Sequence, residues 1–442
     1  MRSRWVAIVA VMVGVAAPHP SRLSDAPASP PPVAGRSPAP PPLTRGEGDA
    51  GVRPRSARGE GDAEEVTRTP EAAFVPAAPG YAWSFPRDHF AHPGYRTEWW
   101  YFTGIIEEEP AAAAAAGRGG AARRFGYQLT FFRVGLLPAR PPFDSALATA
   151  DAVMVHAAVT ELDTGRHHFA EVLWRAAPPL GAFPAPPGPG AAPPAGPAPA
   201  PVAWALAPPG TDGRWSLSLA GEHAFASAAR AAGFGFELSA RATRPPLFQG
   251  PGGFSRKADA EGHASLYYSL TRMETAGTLD LGGERLRVRG TSWMDREFGS
   301  SQLAPAQVGW DWFALRLDDG RDLMLYTLRR ADGARDFEKG TLRSADGRVT
   351  FLARGDFEVR ATGAWTSPRT RATYPAGWEV HVPGHGIRVR VEPWVAAQEN
   401  VARLPGLHYW EGAVQVLGAD GARTGEGYVE LTGYGDRARP PI

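Results

Sequence analysis

The strongest constraint on this 442-residue chain is an alternation of large apolar and polar side chains with period two. Tyr127-Gln128-Leu129-Thr130-Phe131-Phe132-Arg133 alternates, as do Leu266-Tyr267-Tyr268-Ser269-Leu270-Thr271 and Phe313-Ala314-Leu315-Arg316-Leu317. Such a period sends successive side chains to opposite faces of an extended strand. Most runs end at Gly, Asp-Gly or Pro, and Asp319-Gly320, Asp332-Gly333, Asp346-Gly347 and Asp420-Gly421 read as hairpin turns. Short strands separated by turns predict an all-β chain built as an antiparallel barrel or sandwich. The one helical turn predicted in the first half is Ala224 to Ala232.

The two halves echo each other. Trp99-Trp100-Tyr101-Phe102 is followed by a strand ending in Phe131-Phe132-Arg133, then by Ala158 to Arg166 with a Gly165-Arg166 turn. Trp310-Asp311-Trp312-Phe313 is followed by Leu325-Tyr326-Thr327-Leu328-Arg329, then by Gly340 to Arg348 with a Gly347-Arg348 turn. A tandem duplication of a β-barrel is the economical reading.

Proline sets the organisation around these strands. More than half of the 44 prolines sit between Pro18 and Pro79 or between Pro178 and Pro209. Few large apolar residues accompany the first tract, so it cannot offset its chain entropy by burial and reads as a disordered linker over 18–80. Before it, Met1-Arg2-Ser3-Arg4 and the apolar run Trp5 to Ala17, closing on Val15-Ala16-Ala17, have the form of a cleaved secretory signal peptide over 1–17. A secreted or periplasmic protein is therefore expected. The tract 178–209 and the Ala-rich Ala111 to Ala122 lie between strand-like runs and read as expanded surface loops. The expected domains are a first barrel over 81–262, carrying the 178–209 loop, and a second over 263–442.

Composition removes several function classes. A net charge of +1 with the signs mixed along the chain excludes a broad cationic face for nucleic acid. Lys257 and Lys339 are the only lysines, the other cations being Arg, which reads as a coding bias. The absence of cysteine excludes disulfides, thiolate nucleophiles and cysteine-held metals. There is no Gly-x-Ser-x-Gly elbow, no phosphate-cradling glycine loop and no His-Glu-x-x-His, and no cofactor is expected.

Three groups of residues could carry chemistry. His89, His92 and Glu98, with His156 as a third imidazole, have the ligand types of an open zinc site; alternatively, the histidines bond Asp88 or Glu98 and orient the entry loop. In Trp293-Met294-Asp295-Arg296-Glu297, alternation puts Trp293 and Asp295 on one face and Met294 and Arg296 on the other. An acid beside an indole in apolar surroundings would have its pKa raised, as a general acid requires. The alternative is that Asp295 or Glu297 pairs with Arg296 or Arg316 to close the barrel. The third group is the aromatic content: 14 Trp, 20 Phe and 11 Tyr suit either an elongated apolar ligand inside a barrel or a filled core.

At these motifs the chain resembles the secreted lipocalin-like proteins grouped with carotenoid 1,2-hydratase and often called AttH-like. The strings are Phe85-Pro86-Arg87-Asp88-His89 through Glu98-Trp99-Trp100-Tyr101-Phe102, then Tyr267 to Met273, Trp293 to Glu297 with Gly309 to Trp312, Tyr409 to Ala413 and Gly427 to Tyr434. The resemblance covers residues 81 to about 434 and implies two consecutive lipocalin-like barrels. It also implies an aspartate that protonates an isoprenoid double bond among aromatic neighbours, and Asp295 lies at that position. Where the hydratases carry a His-x-Trp string, this chain has Leu266 to Tyr268, with His263 close by.

The resulting expectation is an exported lipocalin-like protein that binds a hydrophobic isoprenoid or acyl molecule and hydrates a C=C bond. Asp295 would be the acid and His263 a water-orienting base. Trp293, Tyr268, Trp310, Trp312, Trp99 and Trp100 would line the ligand, with peripheral membrane contact left open. The alternatives are a non-catalytic lipid carrier and a secreted hydrolase, which in its metal-dependent form would use His89, His92 and His156.

Overall fold

The computed structural model describes residues 73–110, 122–142, 144–186, 199–403 and 407–435. The expected signal peptide, most of the expected linker, the Ala-rich insertion up to residue 121 and the centre of the 178–209 tract lie outside the described residues. The end of the linker is described and is not free chain. Val75 N–H donates to Gly94 O, Ser300 Oγ donates to Val75 O, and Ala77 is buried.

The described chain is all-β apart from three single 3-10 turns. A first meander contains β1 (Thr97–Glu108), β2 (Arg124–Gly135), β3 (Asp151–Glu161) and β4 (His167–Arg175). The short β5 (Gly181–Ala182) leads to β6 (Ala200–Leu206), β7 (Arg214–Gly221), β8 (Ala224–Ala231) and β9 (Phe234–Ala242). Two short strands, β10 (Leu247–Phe248) and β11 (Phe254–Arg256), precede a long hairpin of β12 (Ala264–Leu281) and β13 (Glu284–Ser301). All join one antiparallel sheet, with main order β4-β3-β2-β1-β13-β12-β9-β8-β7-β6-β5. Trp174 on β4 donates its indole N–H to Leu206 O on β6 at 2.8 Å, drawing the two ends together into a nearly closed barrel.

The second sheet starts with another meander: β14 (Gln307–Leu317), β15 (Asp322–Arg330), β16 (Arg335–Arg343) and β17 (Val349–Ala353). After β18 (Glu358–Ala361), the small hairpin β19 (Ala364–Thr366) and β20 (Thr373–Pro375) stands apart. Then come β21 (Trp378–Val382), β22 (Ile387–Pro393), β23 (Glu399–Asn400), β24 (Tyr409–Leu417) and β25 (Arg423–Leu431). The order β17-β16-β15-β14-β25-β24-β22-β21-β18 forms a half-barrel. Position by position, β4-β3-β2-β1-β13-β12 corresponds to β17-β16-β15-β14-β25-β24, so the repeat read in the sequence is a repeat of topology.

The four Asp-Gly turns close hairpins, and Gly320, Gly333, Gly347 and Gly421 take φ between 80° and 90°, which a β-carbon would disfavour. Three expectations need correction. Where a helical turn over Ala224 to Ala232 was expected, Ala224–Ala231 is strand β8, paired on both sides and burying Phe225 and Ala229; tertiary pairing overrides the helical preference of alanine. The 178–209 tract is not all loop, because its ends supply β5 and β6. The sheets divide between Ser301 and Gln307 rather than near 262, because the β12–β13 hairpin bonds to β1 and β9 within the first sheet.

Each barrel has its own core. Trp100, Phe102, Tyr268, Leu270 and Met294 belong to the first, and Phe313, Trp378, Trp410, Val429 and Leu431 to the second. A third cluster, including Tyr101, Tyr267, Trp293, Trp312, Tyr326 and Tyr428, lies where the outer face of one sheet meets the outer face of the other.

Candidate functional site between the sheets

Alternation along the strands builds this interface. On β13, Met294 points into the first core while Trp293, Asp295 and Glu297 point out of it; on β12, Tyr268 points in while Tyr267 and Ser269 point out. β1 contributes Trp99 and Tyr101, and the second sheet answers with Trp310 and Trp312 on β14, Tyr326 and Leu328 on β15, Tyr409 on β24 and Glu430 on β25. These side chains surround a cavity of about 90 Å³. One buried water needs ~10–15 Å³, so several waters or a slim hydrocarbon segment would fit.

Asp295 is an acid on its wall, only 3% exposed. Its carboxyl accepts hydrogen bonds from Tyr267 Oη at 2.5 Å, Ser269 Oγ at 2.5 Å and Trp293 Nε1 at 2.7 Å. Trp312 Nε1 in turn donates to Tyr267 Oη at 3.2 Å, linking the second sheet to this group. Burial raises the Asp295 pKa to about 7, because the loss of water outweighs the three donors and Glu297 adds repulsion. The ion-pair alternative for Asp295 is not what the structure shows. Arg296 lies on the other strand face and binds Glu98, Arg316 binds Glu426, and Glu297 pairs with Lys257 Nζ at 2.7 Å.

Two further carboxyls approach from the second sheet. Glu430 lines the cavity, and its pKa is raised to about 8 by burial and by repulsion from Asp295 and Glu297, against a hydrogen bond from Trp310. Glu411 accepts from Tyr101 Oη at 2.7 Å, and its Oε2 is buried with no hydrogen-bond partner. Burial and repulsion from Glu430 hold Glu411 well above the usual carboxylate range. Two acids that resist ionisation, Asp295 and Glu430, therefore face one largely aromatic gap, while Glu411 is bonded to Tyr101 on its wall.

The remaining sequence candidates divide between this cavity and the first barrel. Trp99, Trp310 and Trp312 line the cavity, and Trp293 is buried behind Asp295. Trp100 and Tyr268 face the other way. Trp100 stacks under the Arg296 guanidinium at 3.9 Å, and Tyr268 Oη is hydrogen-bonded to His89 Nδ1 at 2.6 Å. His263 is not brought to Asp295; it sits in the turn before β12, bonded to Ser301 Oγ at 3.1 Å.

The histidines do not converge. His89 Nε2 meets Glu222 O and His223, while His92 lies against Glu98 and Asp88, the arrangement of the entry-loop alternative. His156 is stacked on Tyr409 and bonded to its hydroxyl at 2.9 Å, in a smaller adjoining cavity. Burial lowers the pKa of His89 and of His156 to about 3, so both rings are neutral. Among the described residues no group of three His, Asp or Glu side chains is placed to hold a metal ion.

Lys257, Tyr267, Ser269, Glu411 and Glu430 were not singled out as site residues by the sequence. Lys257 carried one signal, its rarity in an arginine-biased chain.

A family model described as AttH-like matches residues 76–434. The crystal structure of a protein assigned as AttH from Nitrosomonas europaea is 29% identical with a TM-score of 0.67, covering 82% of this chain and all of that one. Kievitone hydratase from Nectria haematococca is 14% identical with a TM-score of 0.55, covering 82% of this chain and 96% of that one. That second likeness is one of fold. No curated protein matches the chain.

Proposed function

The chain belongs to the AttH-like family, and from that premise and the geometry of the inter-sheet cavity we propose that it binds a slim hydrophobic molecule, isoprenoid or acyl, and adds water across its C=C bond. The observation that carries this reading is Asp295: a buried carboxyl with no ion-pair partner among the described residues, protonated to about pH 7, on the wall of an aromatic cavity.

Protonation of the alkene forms a C–H bond from the Asp295 proton and the π electrons, leaving a tertiary carbocation and the Asp295 carboxylate. Trp99, Trp310 and Trp312 line the cavity, and the quadrupole of an indole face turned to that cation would stabilise it. Water then forms the C–O bond, and the proton it sheds returns to Asp295. Tyr267, Ser269 and Trp293 keep the carboxyl oriented throughout and hold the carboxylate form within reach. The name of kievitone hydratase, which shares the fold, is in keeping with this reaction class. Export through the N-terminal leader is part of the same proposal.

Native mass spectrometry of the purified protein tests the binding half by looking for a co-purifying lipophilic molecule. Incubation of that molecule, or of a panel of terminal isoprenoid alkenes, in H₂¹⁸O tests the chemistry. Incorporation of ¹⁸O by the wild type and not by Asp295→Asn is expected; incorporation by both would remove Asp295 from the reaction.

A further inference from the structure

The cavity already shows how its walls accept a positive charge. At one end the Lys257 ammonium lies 5.1 Å from the centre of the Tyr267 ring and 4.7 Å from that of Tyr326, with Glu297 as counter-ion at 2.7 Å. Ammonium, carboxylate and flanking ring faces together make a cation site. Lys257 and Glu297 neutralise each other, so this end carries no net charge.

The rest of the cavity has the same wall materials without the ammonium. Trp310 and Trp312 supply indole rings, and Asp295 and Glu430 supply carboxyls from opposite sheets. No ion pair involves either acid among the described residues, although the chain pairs most of its other buried acids. The two acids are topological equivalents: Asp295 stands opposite Tyr101 on the first strand of one meander, and Glu430 opposite Trp312 on the first strand of the other.

We infer that the cavity is a second cation site, and that its ligand presents a positive centre between the Asp295 and Glu430 carboxyls against the faces of Trp310 and Trp312. This rests on the reading of the cavity as the ligand site and adds the charge of what it selects: in hydration, the carbocation; in a stable ligand, an alkylated ammonium. Glu430 thereby becomes a ligand-binding residue of the second sheet, and the site requires both sheets.

Three probes of one shape test the inference by isothermal titration calorimetry at pH 8: choline, its neutral isostere 3,3-dimethylbutan-1-ol, and anionic 3,3-dimethylbutanoate. Choline is expected to bind at least tenfold more tightly than the alcohol, with the anion weakest. Glu430→Gln and Asp295→Asn should each bring the choline-to-alcohol ratio close to one while leaving the alcohol's own affinity within about twofold. Equal or tighter binding of the alcohol in the wild type would overturn the cation preference and leave the cavity as an apolar ligand site. A preference surviving both substitutions would overturn its assignment to these carboxyls. Binding of none of the three would remove the cavity as a ligand site, and the proposed function with it.

Discussion

Trp293 and Asp295, two positions apart on one strand face, are joined by an indole N–H that donates to the carboxyl at 2.7 Å. The contact combines two opposed effects: the indole helps to exclude water, which raises the acid's pKa, and its N–H favours the carboxylate. With Tyr267 and Ser269 also donating, the balance settles near pH 7. An acid tuned there can release and recover a proton under ordinary conditions. If it is the catalytic acid, turnover should fall as pH rises through about 7, because the protonated form is the one that reacts.

The same tuning has a stability signature. The unfolded carboxyl titrates near 3.8 and the folded one near 7, so between these values the native state binds more protons than the unfolded state. Stability from this group is complete below the unfolded pKa and is lost as pH rises to about 7, on the order of 4 kcal/mol in all. Asp295→Asn cannot titrate. Its stability relative to wild type should therefore rise between pH 4 and pH 8, seen as a flatter dependence of the urea midpoint on pH. A difference that stayed constant across that range would place the Asp295 pKa near its ordinary value.

Adjacent tyrosines on β12 should separate cleanly. Tyr267→Phe removes a donor to the Asp295 carboxylate, so it should move the acid's titration upward and shift the tryptophan fluorescence titration of the cavity with it. Tyr268→Phe removes the His89 partner inside the first barrel and should leave that titration in place, at a stability cost of about 1–3 kcal/mol for an unsatisfied buried group. Identical effects from the two substitutions would contradict the alternation of faces.

That alternation marks how far the sequence could be read. The strands, the Asp-Gly hairpins, the duplicated meander and the shared face of Trp293 and Asp295 all follow from local pattern. What period two does not encode is which face looks into a barrel and which looks out, because both are apolar when two sheets pack back to back. Local pattern therefore points Tyr268 and Trp100 at the ligand, whereas the structure turns Tyr267 and Tyr101 to the cavity. His263 is near Tyr268 along the chain, but the turn before β12 holds it against Ser301. Glu430 reaches the cavity by β25 pairing with β14, a long-range pairing that no local signal announces.

Glu98 anchors the entry loop from within the first barrel. Its carboxylate takes ion pairs from Arg133 at 3.0 Å and from Arg296, and backbone N–H donation from His92. Burial alone would raise its pKa, but Arg296, His92 and Arg133 outweigh that and hold it well below the usual carboxylate range. A depressed folded pKa contributes stability that is present above the unfolded value and is lost as pH falls below it. Glu98→Gln should cost about 3–5 kcal/mol near neutral pH by leaving two buried guanidiniums short of charge. The gap from wild type should narrow as pH drops below about 4, which acid titrations of both proteins by circular dichroism would reveal.

Lys257 and Glu297 allow the sharpest separation of stability from function. The pair is nearly enclosed, and Ser265 also donates to Glu297, so each charge depends on the other for compensation. Lys257→Met leaves a carboxylate in apolar surroundings beside Asp295 and should destabilise by about 3–5 kcal/mol; Glu297→Gln strands the ammonium at a comparable cost. In the double variant neither charge remains, and most of that loss should be recovered. The coupling from the double-mutant cycle should then be a few kcal/mol in favour of the pair. Additive losses would mean that water reaches the pair and that this end of the cavity is wetter than its walls imply.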